Sequence, residues 1–277
     1  MKKITCLNLS AGGRWVFYTL GALNYLKQTG NIYERDITTL YGSSIGSVVC
    51  LLLALHKTID EIIDLFGLMA SEISLAKFID IKNFLFSYGL INIEHLIDVL
   101  RKYVNIPTFI TFADLSKDLN ITGYAVGEKT TKYFNTTNTP DMPVLLAIKI
   151  SCTIPIIFQC IHYNNDIYVD GGTVDYLPVI DENLLEQTIA INLSRPPIAR
   201  ITNILSFVSF LIDGLQKGRK ANVHQSVQQY YEIVDTQGGN LFQPVNALYV
   251  QQALDSGAEQ CHLQRQLMLI STLDQPK

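Results

Sequence analysis

The stretch Tyr41-Gly42-Ser43-Ser44-Ile45-Gly46-Ser47 constrains the fold more than any other part of the chain. A β-leaning run, Asp36-Ile37-Thr38-Thr39-Leu40, precedes it. An apolar run from Val48 to Leu55, free of proline and glycine, follows. Strand, tight turn and buried helix in that order, with Gly42-x-Ser44-x-Gly46 on the turn, is the sequence form of a nucleophile elbow. The central residue of such a turn sits in strained backbone, and the flanking glycines remove Cβ atoms that would clash. Ser44 is expected to project its hydroxyl above the sheet edge, with the positive N-terminal end of the new helix beneath it. An ordinary Gly/Ser-rich turn has the same local composition, so the remaining residues must discriminate.

The 277 residues are 48% apolar and 17% charged, with a mean hydropathy of +0.20. A mostly parallel sheet buried on both faces explains this, because its strands read as continuous apolar runs. No uninterrupted apolar run reaches the ~18 residues that a spanning helix needs. The net charge of −4 and pI near 5.7 argue against a nucleic-acid binder and supply no polybasic lipid anchor. Met1 to Leu9 has a basic start but only a brief apolar stretch, and reads as a first strand rather than a signal peptide. The expected location is cytoplasmic, or peripheral at membranes. Five scattered cysteines without a Cys-x-x-Cys pair read as buried free thiols, not as a metal site.

In chain order, strand Ile4–Leu9 leads into the glycine loop Ser10-Ala11-Gly12-Gly13-Arg14 and a helix from about Trp15 to Lys27. The loop lacks the spacing of a dinucleotide or P-loop fingerprint; its other use is to present N–H groups to an oxyanion. After the elbow helix, Thr58-Ile59-Asp60-Glu61 forms a capping box that opens a helix to about Ala70. Helical patterns follow near Leu75–Phe86 and Ile93–Tyr103. Asn120–Val126 and Thr131–Asn135 pair as a hairpin around Gly127. Pro143 opens a helix to Ser151, stopped by Thr153-Ile154-Pro155. Ile167-Tyr168-Val169 is a short strand, and Gln187–Leu193 another. Helices are expected over Ile201–Leu215, Val223–Val234 and Val245–Ala258. The alternation predicts an α/β fold: a three-layer α/β/α arrangement with a mostly parallel central sheet and a helical C-terminal part. Residues 1–200 form the expected catalytic domain, and 201–277 a helical extension packed on it.

A serine nucleophile needs a base. The late histidines, His224 and His262, lie in polar helical surroundings and read as surface residues; His56, His95 and His162 read the same way. Asp170 directly follows an apolar strand and precedes Gly171-Gly172. Residues past strand C-termini in open parallel sheets line the functional crevice, and a carboxylate there could accept the Ser44 proton. An Asx-type turn would use the same residues.

The order Gly12-Gly13 loop, Gly42-x-Ser44-x-Gly46, Ile154-Pro155 and Asp170-Gly171-Gly172 resembles the patatin-like phospholipase family. Ala147–Phe158 is similar to the family's helix and proline turn, Tyr168–Val179 to its aspartate block, and Phe112-Ala113-Asp114-Leu115 to a mid-domain phrase. The resemblance covers about residues 3–195. It implies a patatin-like fold and a Ser–Asp dyad without histidine: Ser44 as nucleophile, Asp170 as general base, and Gly12, Gly13, Arg14 and Ile45 around the oxyanion. It implies no cofactor and no metal. The implied activity is phospholipase A or lysophospholipase cleavage of phospholipid esters, with peripheral membrane contact.

The glycine loop departs from the family pattern. Ala11, Gly12 and Gly13 stand where three glycines are usual, Arg14 comes one place early, and Trp15 or Val16 occupies the last glycine position. A bulky Trp15 could narrow the site or mark a protein held inactive until an unidentified protein partner activates it. Two rivals therefore stand beside the hydrolase: a binding protein on the same scaffold, and an esterase of another type using a late histidine.

Overall fold

The computed structural model describes residues 2–70, 72, 79–80, 84, 88–195, 201, 206–207, 210–211 and 227–273. Its elements begin with β1 (Cys6–Leu9), α1 (Val16–Gln28), β2 (Thr39–Gly42), α2 (Ile45–Ala54) and α3 (Ile59–Met69). β3 (Gly89–Ile91), α4 (Glu94–Tyr103), β4 (Asp118–Ala125), β5 (Thr130–Phe134) and α5 (Val144–Cys152) follow. β6 (Ile156–Phe158), β7 (Ile161–Tyr163), β8 (Asp166–Asp170), β9 (Thr188–Ser194), β10 (Gln229–Val234) and α6 (Ala247–Leu273) complete the set.

Every residue of β1 and of β2 is buried, as strands covered on both faces require. They sit at the middle of a sheet ordered β10-β9-β1-β2-β4-β8-β7. The run from β10 to β4 is parallel; β8 and β7 join antiparallel, and β5 pairs antiparallel with β4. The result is the expected mostly parallel α/β sheet flanked by helices. β3 and β6 form a separate parallel pair that sequence patterning did not reveal.

Helix α2 is buried at all ten positions. Its residues, Ile45 through Ala54, are apolar all round apart from the buried Ser47, which suits a core helix rather than an amphipathic one. The Thr58 capping box is present: the Thr58 hydroxyl accepts from the Glu61 N–H, and the Glu61 carboxylate accepts from the Thr58 N–H. Such a cap contributes about 1 kcal/mol to the start of α3. All five cysteines are free.

The helix expected over Val223–Val234 is corrected from residue 229 onward. Gln229–Val234 is strand β10, parallel to β9 at the sheet edge. Tyr231 and Ile233 are fully buried while their neighbours are not, a period of two that a helix does not have. Residues 223–226 of that segment, most of the pattern near Leu75–Phe86 and most of Ile201–Leu215 lie outside the described residues.

β10 is an edge strand, and α6 covers its open side with side chains. Gln264 accepts from the Glu232 N–H at 3.0 Å and donates to the Glu232 carbonyl at 2.7 Å. Gln260 does the same for Val234, at 2.8 and 2.9 Å. Two amides one helical turn apart thus stand in for a neighbouring strand.

Candidate active site

The elbow forms because α2 must start hard against the end of β1. A Cβ on Gly46 would lie 2.5 Å from the Ser10 carbonyl oxygen and 2.7 Å from that of Leu9. One on Gly42 would lie 2.5 Å from the Ser47 Cα. Only glycine permits either approach. Between them Ser44 has φ 51° and ψ −127°, in the left-handed half of backbone space. That conformation costs on the order of 1–3 kcal/mol and persists because neighbours hold it. The Ser44 N–H donates to Ser151 Oγ at 2.9 Å, the Gly46 N–H to the Ser43 carbonyl at 2.9 Å, and the Ser47 hydroxyl to the Ser44 carbonyl. Ser151 lies on α5, so the expected helix before Thr153-Ile154-Pro155 braces the turn.

Asp170 reaches the same point from the opposite direction. β2 runs parallel to β4 and ends with Gly42 opposite Ile121. β8 runs antiparallel to β4 and ends with Asp170 opposite Gly123. β5 occupies the other edge of β4 along these residues, so β2 and β8 share one edge and meet end to end. Asp170 therefore does not sit past the C-terminus of a parallel strand, as the sequence suggested; its strand is antiparallel. Thr122, between the two junctions, donates from Oγ1 to Ser43 Oγ at 2.9 Å.

The Asp170 carboxyl is 2% exposed. Burial pushes its pKa up to about 7, although hydrogen bonds from the Ser44 hydroxyl and the Gly172 N–H favour the charged form. Asp170 Oδ1 accepts from the Gly172 N–H at 2.7 Å. The Asx turn and the contact with Ser44 are thus made by one carboxyl at once. A Cβ on Gly172 would meet the Ala11 side chain at 2.5 Å, and one on Gly171 would meet Thr122 Oγ1 at 2.5 Å. The aspartate block consequently packs against both β4 and the glycine loop.

Ser44 opens into a mainly apolar pocket. Phe17, Phe66, Leu96, Ile154 and Phe158 are among its walls. Cys152 also lines it; burial holds its thiol well above the usual pKa, so it offers no thiolate. Gly13, Arg14 and Val16 reach the pocket, but Trp15 does not. The Trp15 ring is 2% exposed and carries the Arg195 guanidinium 4.4 Å from its centroid, so it does not narrow the site.

Within the loop the Ala11 N–H donates to the Tyr176 carbonyl and that of Trp15 to the Gly12 carbonyl. The N–H groups of Gly12, Gly13, Arg14 and Ile45 find no acceptor among the described residues. His262 pairs with Tyr25 at 2.9 Å and His56 with Ser116 at 2.9 Å; no described histidine lines the pocket. His224 lies outside the described residues. Among the described residues, no group of three His, Cys, Asp or Glu side chains could hold a metal ion. Sequence reasoning missed Ser151 and the pocket residues Leu241, Gln243 and Val245, which carry no local motif.

A model of the patatin-like phospholipase family matches residues 7–181. An uncharacterized protein of Acanthamoeba polyphaga mimivirus is 27% identical over 248 residues, covering 83% of this chain and 81% of its own. A protein of Invertebrate iridescent virus 6, named "Probable lipid hydrolase", is 33% identical over 184 residues, covering 62% and 61%. The crystal structure of VipD from Legionella pneumophila superposes with a TM-score of 0.57 at 15% identity, over 95% of this chain and 66% of that one, a likeness of fold. The chain thus spans just under two thirds of VipD and of the iridescent virus protein. With the elbow, the aspartate turn and the strand order all in place, the chain belongs to the patatin-like phospholipase family.

Proposed function

We propose that this protein is a lipid acyl hydrolase of the phospholipase A or lysophospholipase type, which cleaves carboxylic esters with a Ser44–Asp170 dyad. One observation carries the reading: a serine held in strained backbone stands beside a buried carboxyl at the mouth of an apolar pocket, near enough to favour the carboxyl's charged form. A base with a pKa near 7 is matched to neutral pH in a way an ordinary aspartate is not. Ser44 Oγ attacks the ester carbonyl as Asp170 takes its proton. The oxyanion is received by the N–H groups of Gly12, Gly13, Arg14 and Ile45 and by the N-terminal end of α2. Collapse of this intermediate expels the lipid alcohol, which takes the proton back from Asp170. Asp170 then draws a proton from water, whose oxygen attacks the acyl-enzyme; collapse breaks the bond to Ser44 Oγ, which takes that proton back from Asp170 as the fatty acid leaves. Every step is made by this chain's own residues.

The apolar pocket walls suit an acyl chain. No described helix is long and apolar enough to cross a membrane. The test is hydrolysis of a fluorogenic phospholipid in the presence of chelator by wild type, Ser44→Ala and Asp170→Asn. Activity lost in both variants supports the reading; full activity in Ser44→Ala overturns it. Wild type inert on every vesicle tested would instead favour the binding-protein or partner-activated alternatives.

A further inference from the structure

We infer that the segment 240–245, which lies beyond the family-matched residues, is the wall that sets which acyl chains the pocket accepts, and that Gln243 is the positioning residue holding this wall against the glycine loop. The inference extends the hydrolase reading of the same pocket.

Leu241, Gln243 and Val245 line the pocket together with Ser44 and Ile45. Leu241 and the adjacent Phe242 are 8% and 4% exposed, so the segment is packed in rather than draped over. It touches the loop without a gap. Gly13 has φ +53°, and a Cβ there would lie 2.6 Å from Leu241 Cδ1. The side chain that bounds the pocket thus also bounds the backbone that presents the oxyanion N–H groups.

The wall is clamped from both ends. The Arg14 guanidinium donates to Gln243 Oε1 at 3.0 Å and to the Asn240 carbonyl at 3.4 Å, and stacks 4.2 Å from the centre of the Tyr249 ring on α6. Upstream, the buried Asp235 carboxylate accepts from the Tyr18 hydroxyl at 3.0 Å and from the N–H groups of Gln237 and Gly238 at 2.9 and 3.1 Å. Within the turn, the Phe242 N–H donates to Asn240 Oδ1 at 3.0 Å. Arg14 is consequently a strut between the glycine loop and the C-terminal segment, with its Nη1 already committed to that segment.

An alkyl chain entering a pocket gains affinity by about fourfold per buried methylene until it meets a wall. Changing the wall shifts the chain length at which the gain stops. A general loss of stability would weaken all lengths alike.

The experiment measures binding of saturated fatty acids, from octanoic to octadecanoic, to the full chain carrying Ser44→Ala, so that turnover plays no part. Leu241→Phe is expected to lower affinity for the long acids at least threefold relative to octanoic acid, and Leu241→Ala to move the best length upward. Val245→Phe repeats the test if a Leu241 variant does not fold. Gln243→Ala should flatten the length dependence. Gln243→Glu should restore it, because its carboxylate still accepts from Arg14. An unchanged length profile in the Leu241 and Val245 variants, or no binding of any fatty acid, overturns the wall. Equal behaviour of Gln243→Ala and Gln243→Glu overturns the positioning role. An inactive wild type with a wall-dependent binding profile would count against the hydrolase reading and leave this one standing.

Discussion

Gly42 and Asp170 pair with Ile121 and Gly123 on one edge of β4, so two strands running toward each other deliver Ser44 and its carboxyl partner to a single point. Both groups come from the rigid sheet rather than from long loops, and sites built on regular elements hold their geometry more closely. The strained Ser44 backbone and the buried carboxyl are the two local costs of this arrangement.

The first consequence is a pH profile. Asp170 accepts a proton only when ionised, and burial holds its pKa at about 7. In kcat/KM against pH, activity should fall about tenfold per unit below pH 7 and level off above it. A profile flat from pH 5 to 8 would remove Asp170 as the base.

Stability should move the other way. Folding raises the Asp170 pKa from 3.8 to about 7, so the folded chain keeps a proton that the unfolded chain has released. The stability associated with that proton is complete below about pH 4 and lost as pH rises through 7. Asp170→Asn abolishes the titration while its amide can still accept from the Gly172 N–H. The variant should be inactive yet melt higher than wild type at pH 8, with the gap narrowing toward pH 5. Each kcal/mol corresponds to a shift of about 2–4 °C in a domain of this size. Thermal melts at the two pH values decide this.

The backbone at Ser44 makes a separate prediction. Glycine adopts φ 51° without the Cβ penalty that alanine keeps. Ser44→Gly should therefore be more stable than Ser44→Ala by about 1 kcal/mol, despite glycine's larger unfolded-state entropy. Both should lose roughly 10³-fold or more in activity. Chemical denaturation of the pair measures the difference; a less stable glycine variant would mean that the turn is not strained.

The edge of the sheet can be opened deliberately. Replacing Gln260 and Gln264 together with Ala removes the four hydrogen bonds that α6 makes to β10. The expected loss is about 2–6 kcal/mol, from roughly 0.5–1.5 kcal/mol per bond. The bared edge should also associate with other copies as concentration rises. Denaturant titration and light scattering read the two effects; a variant that is as stable and as monodisperse as wild type contradicts the capping role.

Much of the candidate site was legible because it is local. Gly42-x-Ser44-x-Gly46 encodes its own turn, and Asp170-Gly171-Gly172 its own Asx geometry. The capping box at Thr58 and the hairpin of β4 and β5 are equally short-range signals. What sequence reading lost depends on partners far along the chain. β10 shows buried Tyr231 and Ile233 in strand period, but its polar neighbours and the helical run expected before it masked the alternation. The antiparallel arrival of β8 is fixed by pairing with β4, not by any residue of β8. Leu241 and Gln243 line the pocket beside Arg14, more than two hundred residues earlier, whose guanidinium donates to Gln243. Trp15 looked obstructive in sequence, yet it turns into the core beneath Arg195.

The central claim is that Ser44 attacks and Asp170 takes its proton. Labelling with a fluorophosphonate probe, read by peptide mass spectrometry, tests it most directly, because the serine oxygen must displace fluoride from phosphorus. The account predicts a single adduct on Ser44 in wild type, none in Ser44→Ala, and labelling of Asp170→Asn slowed by at least a hundredfold. An adduct on another residue, or equal labelling rates in wild type and Asp170→Asn, would contradict it.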